Sequence, residues 1–261
     1  MPPFFAVNYN CGRREEGEAQ VAGKRAQRAG RRLPRTIAID GPVASGKSAV
    51  GGLVAGRLGY RFLDTGAMYR ALTWWALQNG VDPLDEAELG RLARETRMTV
   101  HPAPAGSGEH SGARVDGRDA TPFLRTPPVE ANVSFVSRVP AVREVMVALQ
   151  RRIAGGRPLV MAGRDIGTVV LPEADLKVYL DASRRERGRR RQEQLALKGE
   201  KASLDRVLKD LAQRDAIDSG REASPLRPAA DAVIVNTEGR SLEETVERVL
   251  AIAGFVEGAE Q

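Results

Sequence analysis

Gly41-Pro42-Val43-Ala44-Ser45-Gly46-Lys47-Ser48 follows directly on Thr36-Ile37-Ala38-Ile39-Asp40, and this stretch decides the fold class. The spacing is GxxxxGK[ST], read as a strand, a glycine-rich loop and a helix. Ile37 and Ile39 are β-branched strand formers, and Val50, Leu53 and Val54 recur at helical spacing behind the loop. In such a P-loop the backbone N–H groups turn inward and cradle a phosphate, aided by the positive end of the helix that follows. Gly41 through Ser48 are therefore expected to hold ATP. Lys47 would reach the β- and γ-oxygens, and the Ser48 hydroxyl would ligate Mg²⁺.

Outward from the loop, strand and helix patterns alternate. Tyr60–Asp64, Pro158–Ala162, Asp175–Asp181 and Ala232–Val235 read as strands. Ala67–Gln78, Asp85–Glu95 and Val142–Ile153 read as helices, the second with Leu84, Leu89 and Leu92 as its apolar stripe. Ser183-x-x-Glu186 and Ser241-x-x-Glu244 have capping-box spacing. This alternation predicts an α/β fold, a P-loop NTPase-type parallel sheet with helices on both faces. Residues 97–126 break the rhythm. They predict a small antiparallel insert outside the main sheet, with a turn at Asp116-Gly117.

The chain has 261 residues, 42 % of them hydrophobic and 28 % charged, which suits a soluble protein with a real core. No apolar run is long enough for a membrane span. The N-terminal Met1–Val7 lacks the basic start of a secretion signal. The single cysteine, Cys11, excludes an internal disulfide, and a cytoplasmic location is expected. The two histidines, His101 and His110, fall in a Pro/Gly/Ser-rich stretch and read as solvated. The net charge of +6 is uneven. Residues 1–35 carry eight Lys/Arg against three Glu, while the remaining 226 carry 32 basic and 31 acidic side chains. The excess therefore belongs to a flexible basic extension, residues 1–35, and the body from 36 to 261 is nearly neutral. A nucleic-acid partner is not expected, and nothing in the pattern demands more than a monomer.

Three further clusters bear on the reaction. Val160-Met161-Ala162 runs into Gly163-Arg164-Asp165, placing an Arg–Asp pair at the strand end that faces the ligand crevice. Asp64-Thr65-Gly66-Ala67-Met68-Tyr69-Arg70 offers a hydroxyl, an aromatic ring and a guanidinium at the mouth of another strand. Arg184–Arg191 holds six arginines in eight residues, in a chain with 34 Arg and only six Lys. Arginine suits bidentate phosphate recognition. The same run also fits a solvated helix face or a nucleic-acid patch, the reading in which the protein is a binding module with an ATP-driven switch. Arg214-Asp215-Ala216-Ile217-Asp218 through Arg221 repeats the theme at a helix end.

Taken in order, these motifs resemble those of the bacterial cytidylate kinases, a family of nucleoside-monophosphate kinases. The likeness runs from Thr36 to Phe255 and includes Ala131-Asn132-Val133-Ser134 with Val142-Arg143 downstream. The resemblance implies transfer of the γ-phosphoryl group of ATP, with Mg²⁺, to CMP or dCMP. It implies that Ser134, Arg143 and Asp165 read the cytosine edge. It places Thr65, Arg70, Arg164 and Arg221 on the acceptor phosphate, Arg214 and Asp218 at the ribose, and Tyr69 along the same site. Arg187 with Arg190 or Arg191 would lie on a helical lid, residues 183–200, that closes over ATP. Lys47, Arg164, Arg187 and Arg190 would act in catalysis, and residues 97–126 would be the monophosphate-binding insert. The acceptor oxygen is already anionic at neutral pH, so no general base is required. Kinases of UMP, AMP or shikimate are the nearest alternatives. Val43-Ala44 and Ala49 depart mildly from the usual loop.

Overall fold

The computed structural model describes residues 33–101, 111–197 and 199–255. The expected basic extension up to residue 32, with Cys11, lies outside the described residues, as do His110 and the side chain of His101. The strands are β1 (Thr36–Asp40), β2 (Arg61–Asp64), β3 (Met98–His101), β4 (Gly112–Val115), β5 (Arg118–Asp119), β6 (Leu159–Ala162), β7 (Leu176–Asp181) and β8 (Val233–Asn236). The helices are α1 (Lys47–Leu58), α2 (Thr65–Gln78), α3 (Glu86–Glu95), α4 (Pro127–Arg138), α5 (Pro140–Ala154), α6 (Arg184–Leu197), α7 (Leu204–Ser219) and α8 (Leu242–Ile252). No helix among the described residues is long and apolar enough to cross a membrane.

Five strands form one parallel sheet in the order β2-β6-β1-β7-β8. Successive strand residues point to opposite faces, and the sequence fills both. Ile37, Ile39, Val160, Val178 and Leu180 pack with Val50 and Val54 of α1 and Val246 and Val249 of α8. Ala38, Leu63, Leu159 and Met161 pack with Met68 and Leu72 of α2, Leu89 of α3, Val136 of α4 and Met146 of α5. Burying each such large side chain stabilises the fold by about 1.5–3 kcal/mol. The three-layer arrangement follows, as the alternating pattern predicts.

The insert forms a separate antiparallel sheet, β3-β4-β5. Its β4–β5 turn is the expected pair, Asp116 at φ 47° and Gly117 at φ 80°. Four details differ from the sequence reading. Helix α2 begins at Thr65 rather than Ala67, because the Asp64 carboxylate accepts from the Gly66 N–H at 2.9 Å and caps it. Leu84 is 58 % exposed, because the helix starts only after the Asp85 cap, while Leu89 and Leu92 are buried. Helix α4, begun by Pro127, follows the insert where no helix was expected. The Ser183 box closes by half. The Ser183 hydroxyl accepts from the Glu186 N–H, but the Ser183 N–H donates to Glu238. The Ser241–Glu244 box is complete.

Candidate active site

The P-loop leaves β1 at Gly41 and enters α1 at Lys47. A Cβ at Gly41 would lie 2.2 Å from the Leu180 carbonyl oxygen, at φ 150°, so only glycine fits. Gly46 turns the chain at φ 92°, and Ala44 adopts φ 60°. A left-handed alanine costs about 1–2 kcal/mol, which gives the Val43-Ala44 departure a physical meaning. Pro42 and Ser45 hold the lysine: Lys47 Nζ donates to the Pro42 carbonyl at 2.6 Å and lies 3.3 Å from Ser45 Oγ. Burial, and then the Arg164 guanidinium, push the Lys47 ammonium well below its ordinary pKa, while Asp64, Asp40 and Asp218 act the other way. The Ser48 hydroxyl donates to Asp64 at 2.8 Å. Hydroxyl and carboxylate oxygens are the donors Mg²⁺ prefers, so Ser48 with Asp64 behind it fits that ion.

Asp40 ends β1 and is 4 % exposed. Its two oxygens accept from the Ile166 and Gly167 N–H groups at 2.8 and 2.7 Å. They thereby cap the π-helical turn Ile166–Val170 that follows Asp165. Burial raises its pKa to about 6, against those two hydrogen bonds. Arg164 bridges the site: Nε donates to Asp218 at 2.7 Å and Nη1 to the Gly41 carbonyl at 3.3 Å. Burial would raise the Asp218 pKa, but Arg164 and then Arg221 bring it below the usual range.

Asp165 points the other way, to a buried ion pair with Arg143 Nη2 at 2.5 Å. Arg143 also donates to the Ser137 carbonyl and stacks over the Tyr69 ring at 5.5 Å. Ser134 lies half-buried on α4, one turn ahead of Ser137. Around this pair, buried donors accumulate without acceptors. Arg143 Nε, Arg221 Nη2 and Gln150 Nε2 make no hydrogen bond, and the Tyr69 hydroxyl, with Gln150 beside it, makes none that is well formed. Buried polar groups are nearly always satisfied, so such a cluster marks a place built for a ligand rich in acceptors.

Arg70, Arg191 of α6 and Arg214 of α7 converge elsewhere. Glu130 of α4 accepts from Arg70 Nε at 2.7 Å, Arg214 Nη1 at 3.2 Å and Arg191 Nη2 at 3.4 Å. Arg187 reaches the P-loop, donating to the Val43 carbonyl at 3.0 Å while paired with Asp215 at 2.8 Å. Arg190 instead bonds Glu186 and Thr237. Arg189 pairs with Glu186 and Glu193 on its own helix. The arginine run is thus divided among distinct partners. Thr65 is buried, with its hydroxyl donating to the Ala162 carbonyl at 2.9 Å, where it ties α2 to the end of β6.

Sequence reasoning did not single out Glu130, Asp40, Asp215 or Gln150, and gave Asp64 no role. One signal was readable for Glu130. It falls between Val129 and Val133, at spacing that buries it with them.

Comparison with known proteins agrees with this geometry. The cytidylate kinase family model matches residues 37–254. Cytidylate kinase from Geobacillus thermodenitrificans (strain NG80-2) is 49 % identical over 216 residues, covering 83 % of this chain and 95 % of that protein. The cytidylate kinase of Geobacillus kaustophilus (strain HTA426) is 48 % identical over 217 residues, 83 % of this chain and 95 % of its own. That of Desulfitobacterium hafniense (strain Y51) is 46 % identical over 219 residues, 83 % and 91 %. With its phosphate loop, its buried Arg–Asp pair and these matches along nearly the whole described length, the chain belongs to the cytidylate kinase family.

Proposed function

We propose that the protein transfers the γ-phosphoryl group of Mg²⁺–ATP to CMP or dCMP, releasing ADP and CDP or dCDP. One observation carries the reading beyond family membership. Consecutive residues link the P-loop to the cluster of unmatched donors: Arg164 donates to the Gly41 carbonyl, and Asp165 pairs with Arg143. An aminopyrimidine suits that cluster. Its amine donates to Asp165 and to the Ser134 hydroxyl, and its ring N3 and O2 accept from Arg143. Uracil carries a carbonyl where cytosine has the amine, and it meets the Asp165 carboxylate unfavourably.

The transfer itself needs alignment and charge neutralisation. An acceptor phosphate oxygen forms a bond to the γ-phosphorus as the bond to the ADP oxygen breaks, with no proton to remove first. Lys47 and Arg187 act from the donor side, and Arg70, Arg164 and Arg221 hold the acceptor phosphate. Arg214 and Asp218 lie at the ribose. Arg191 reaches in from the lid, and Arg190 anchors the lid to Thr237. The chemistry supplied by Mg²⁺ at Ser48 is neutralisation of the donor phosphate oxygens. Closure of the lid helix α6 excludes water and limits hydrolysis.

The test is ADP formation from Mg²⁺–ATP with CMP, dCMP, UMP, AMP and shikimate offered separately. Turnover is expected to be strongest with CMP or dCMP. Preference for another acceptor, or no acceptor-dependent turnover, overturns the cytosine assignment of Ser134, Arg143 and Asp165.

A further inference from the structure

Glu130 is the residue the site explains least. It lies on α4, its side chain is 10 % exposed, and it takes cations from three other helices. Arg70 comes from α2 and Arg214 from α7, both placed above at the acceptor, and Arg191 comes from α6, the lid helix. Arg214 also donates to the Glu130 backbone carbonyl, so it is held twice. Arg125 stands close enough to add its charge. Asp64 pairs with Arg125 at 3.7 Å, so two carboxylates stand among four guanidiniums and a positive surplus remains. Without Glu130, like charges drawn from α2, α6 and α7 would repel at close range in a poorly screened interior. Burial alone would favour the neutral acid, yet Arg70 and then Arg214 hold Glu130 ionised.

A buried ion cluster is not by itself a source of stability, because desolvation offsets most of the attraction. What such a cluster does supply is a fixed geometry. Here the geometry joins α2 and α7, which carry Arg70 and Arg214 for the acceptor, to α6 of the lid, which carries Arg191. Resting on the phosphoryl-transfer reading above, we propose that Glu130 is a positioning residue for the reaction. Its carboxylate holds Arg70, Arg191 and Arg214 at one point, so that closure of α6 brings Arg191 into register with an acceptor phosphate already gripped by Arg70. Glu130 touches neither substrate. It acts through the arginines, and the P-loop works independently of it.

The experiment compares wild type with Glu130→Gln and Glu130→Asp, varying CMP at saturating Mg²⁺–ATP and Mg²⁺–ATP at saturating CMP, with melting temperatures measured in parallel. Glu130→Gln is expected to lower kcat by about 10²-fold, the size of a misplacement effect. KM for ATP is expected to stay within about threefold, because the donor loop is untouched. Glu130→Asp keeps the charge and should recover about tenfold of that loss. In an Arg191→Gln background the effect of Glu130→Gln should shrink, since one arm of the cluster is already gone. A Gln variant whose kcat stays within about twofold of wild type while only its melting temperature falls overturns the proposal. Strict additivity with Arg191→Gln overturns it as well. If the Gln variant does not fold, the cycle is run with Glu130→Asp, judged by the same additivity criterion. The wild-type acceptor profile tests the underlying reading separately. Absence of CMP-dependent turnover there sinks that reading, whereas CMP turnover indifferent to residue 130 sinks only this one.

Discussion

Eight consecutive residues, Gly41 to Ser48, make the phosphate loop, whereas the residues proposed for the acceptor are gathered from α2, α4, α5, the end of β6 and α7. The loop offers backbone N–H groups and one lysine held by the Pro42 carbonyl and Ser45. The second set consists of side chains whose charges balance one another: Arg143 with Asp165, Arg164 with Asp218, and three arginines on Glu130. A backbone cradle tolerates side-chain change, as Val43-Ala44 shows. A charge-balanced cluster does not, because each deletion leaves its partner buried and unpaired.

Three perturbations bear on that contrast. Lys47→Met should give the largest effect. Turnover is expected to fall by about 10³- to 10⁵-fold, comparable with loss of an arginine finger. The melting temperature should hold or rise, because a buried cation that the fold keeps well below its ordinary pKa is removed. Steady-state kinetics beside a thermal melt check both. A large drop in melting temperature would mean that the donor lysine is as structural as the acceptor pairs.

Asp165→Ala comes next, on the other side. It strands Arg143, which is 2 % exposed, and should cost about 3–5 kcal/mol in denaturant unfolding. CMP over UMP discrimination should vanish while an ATP analogue still binds. Unchanged selectivity in a folded variant would remove the base-pocket assignment.

Asp40 sits where the two sides meet, and its effect is the smallest. Its pKa of about 6 lies above the ordinary 3.8. An acid raised on folding contributes its stability fully below the unfolded pKa and loses it as pH rises through the folded one. Asn cannot titrate. The stability of Asp40→Asn relative to wild type should therefore climb by about 2–3 kcal/mol from pH 4 to pH 7. Contributions from other carboxylates cancel in the difference. A flat difference across that range would show that Asp40 stays ionised throughout.

The sequence by itself determined the phosphate loop, the parallel α/β sheet and the antiparallel insert. Each rests on local spacing: GxxxxGK[ST] after a strand, apolar alternation on two-faced strands, and Asp116-Gly117 at a two-residue turn. Resemblance added the acceptor residues one at a time, and most of them do meet in the structure, as Arg143 meets Asp165 and Arg164 meets Asp218. Only the tertiary structure decided how they are shared out. Arg70, Arg191 and Arg214 converge on Glu130, Arg190 turns to Thr237, and Thr65 spends its hydroxyl on the Ala162 carbonyl. The reason is physical. A backbone loop is specified by neighbours along the chain, but the partner of a buried charge is set by whichever helix packing brings within about 3 Å of it, and those helices lie far apart in sequence.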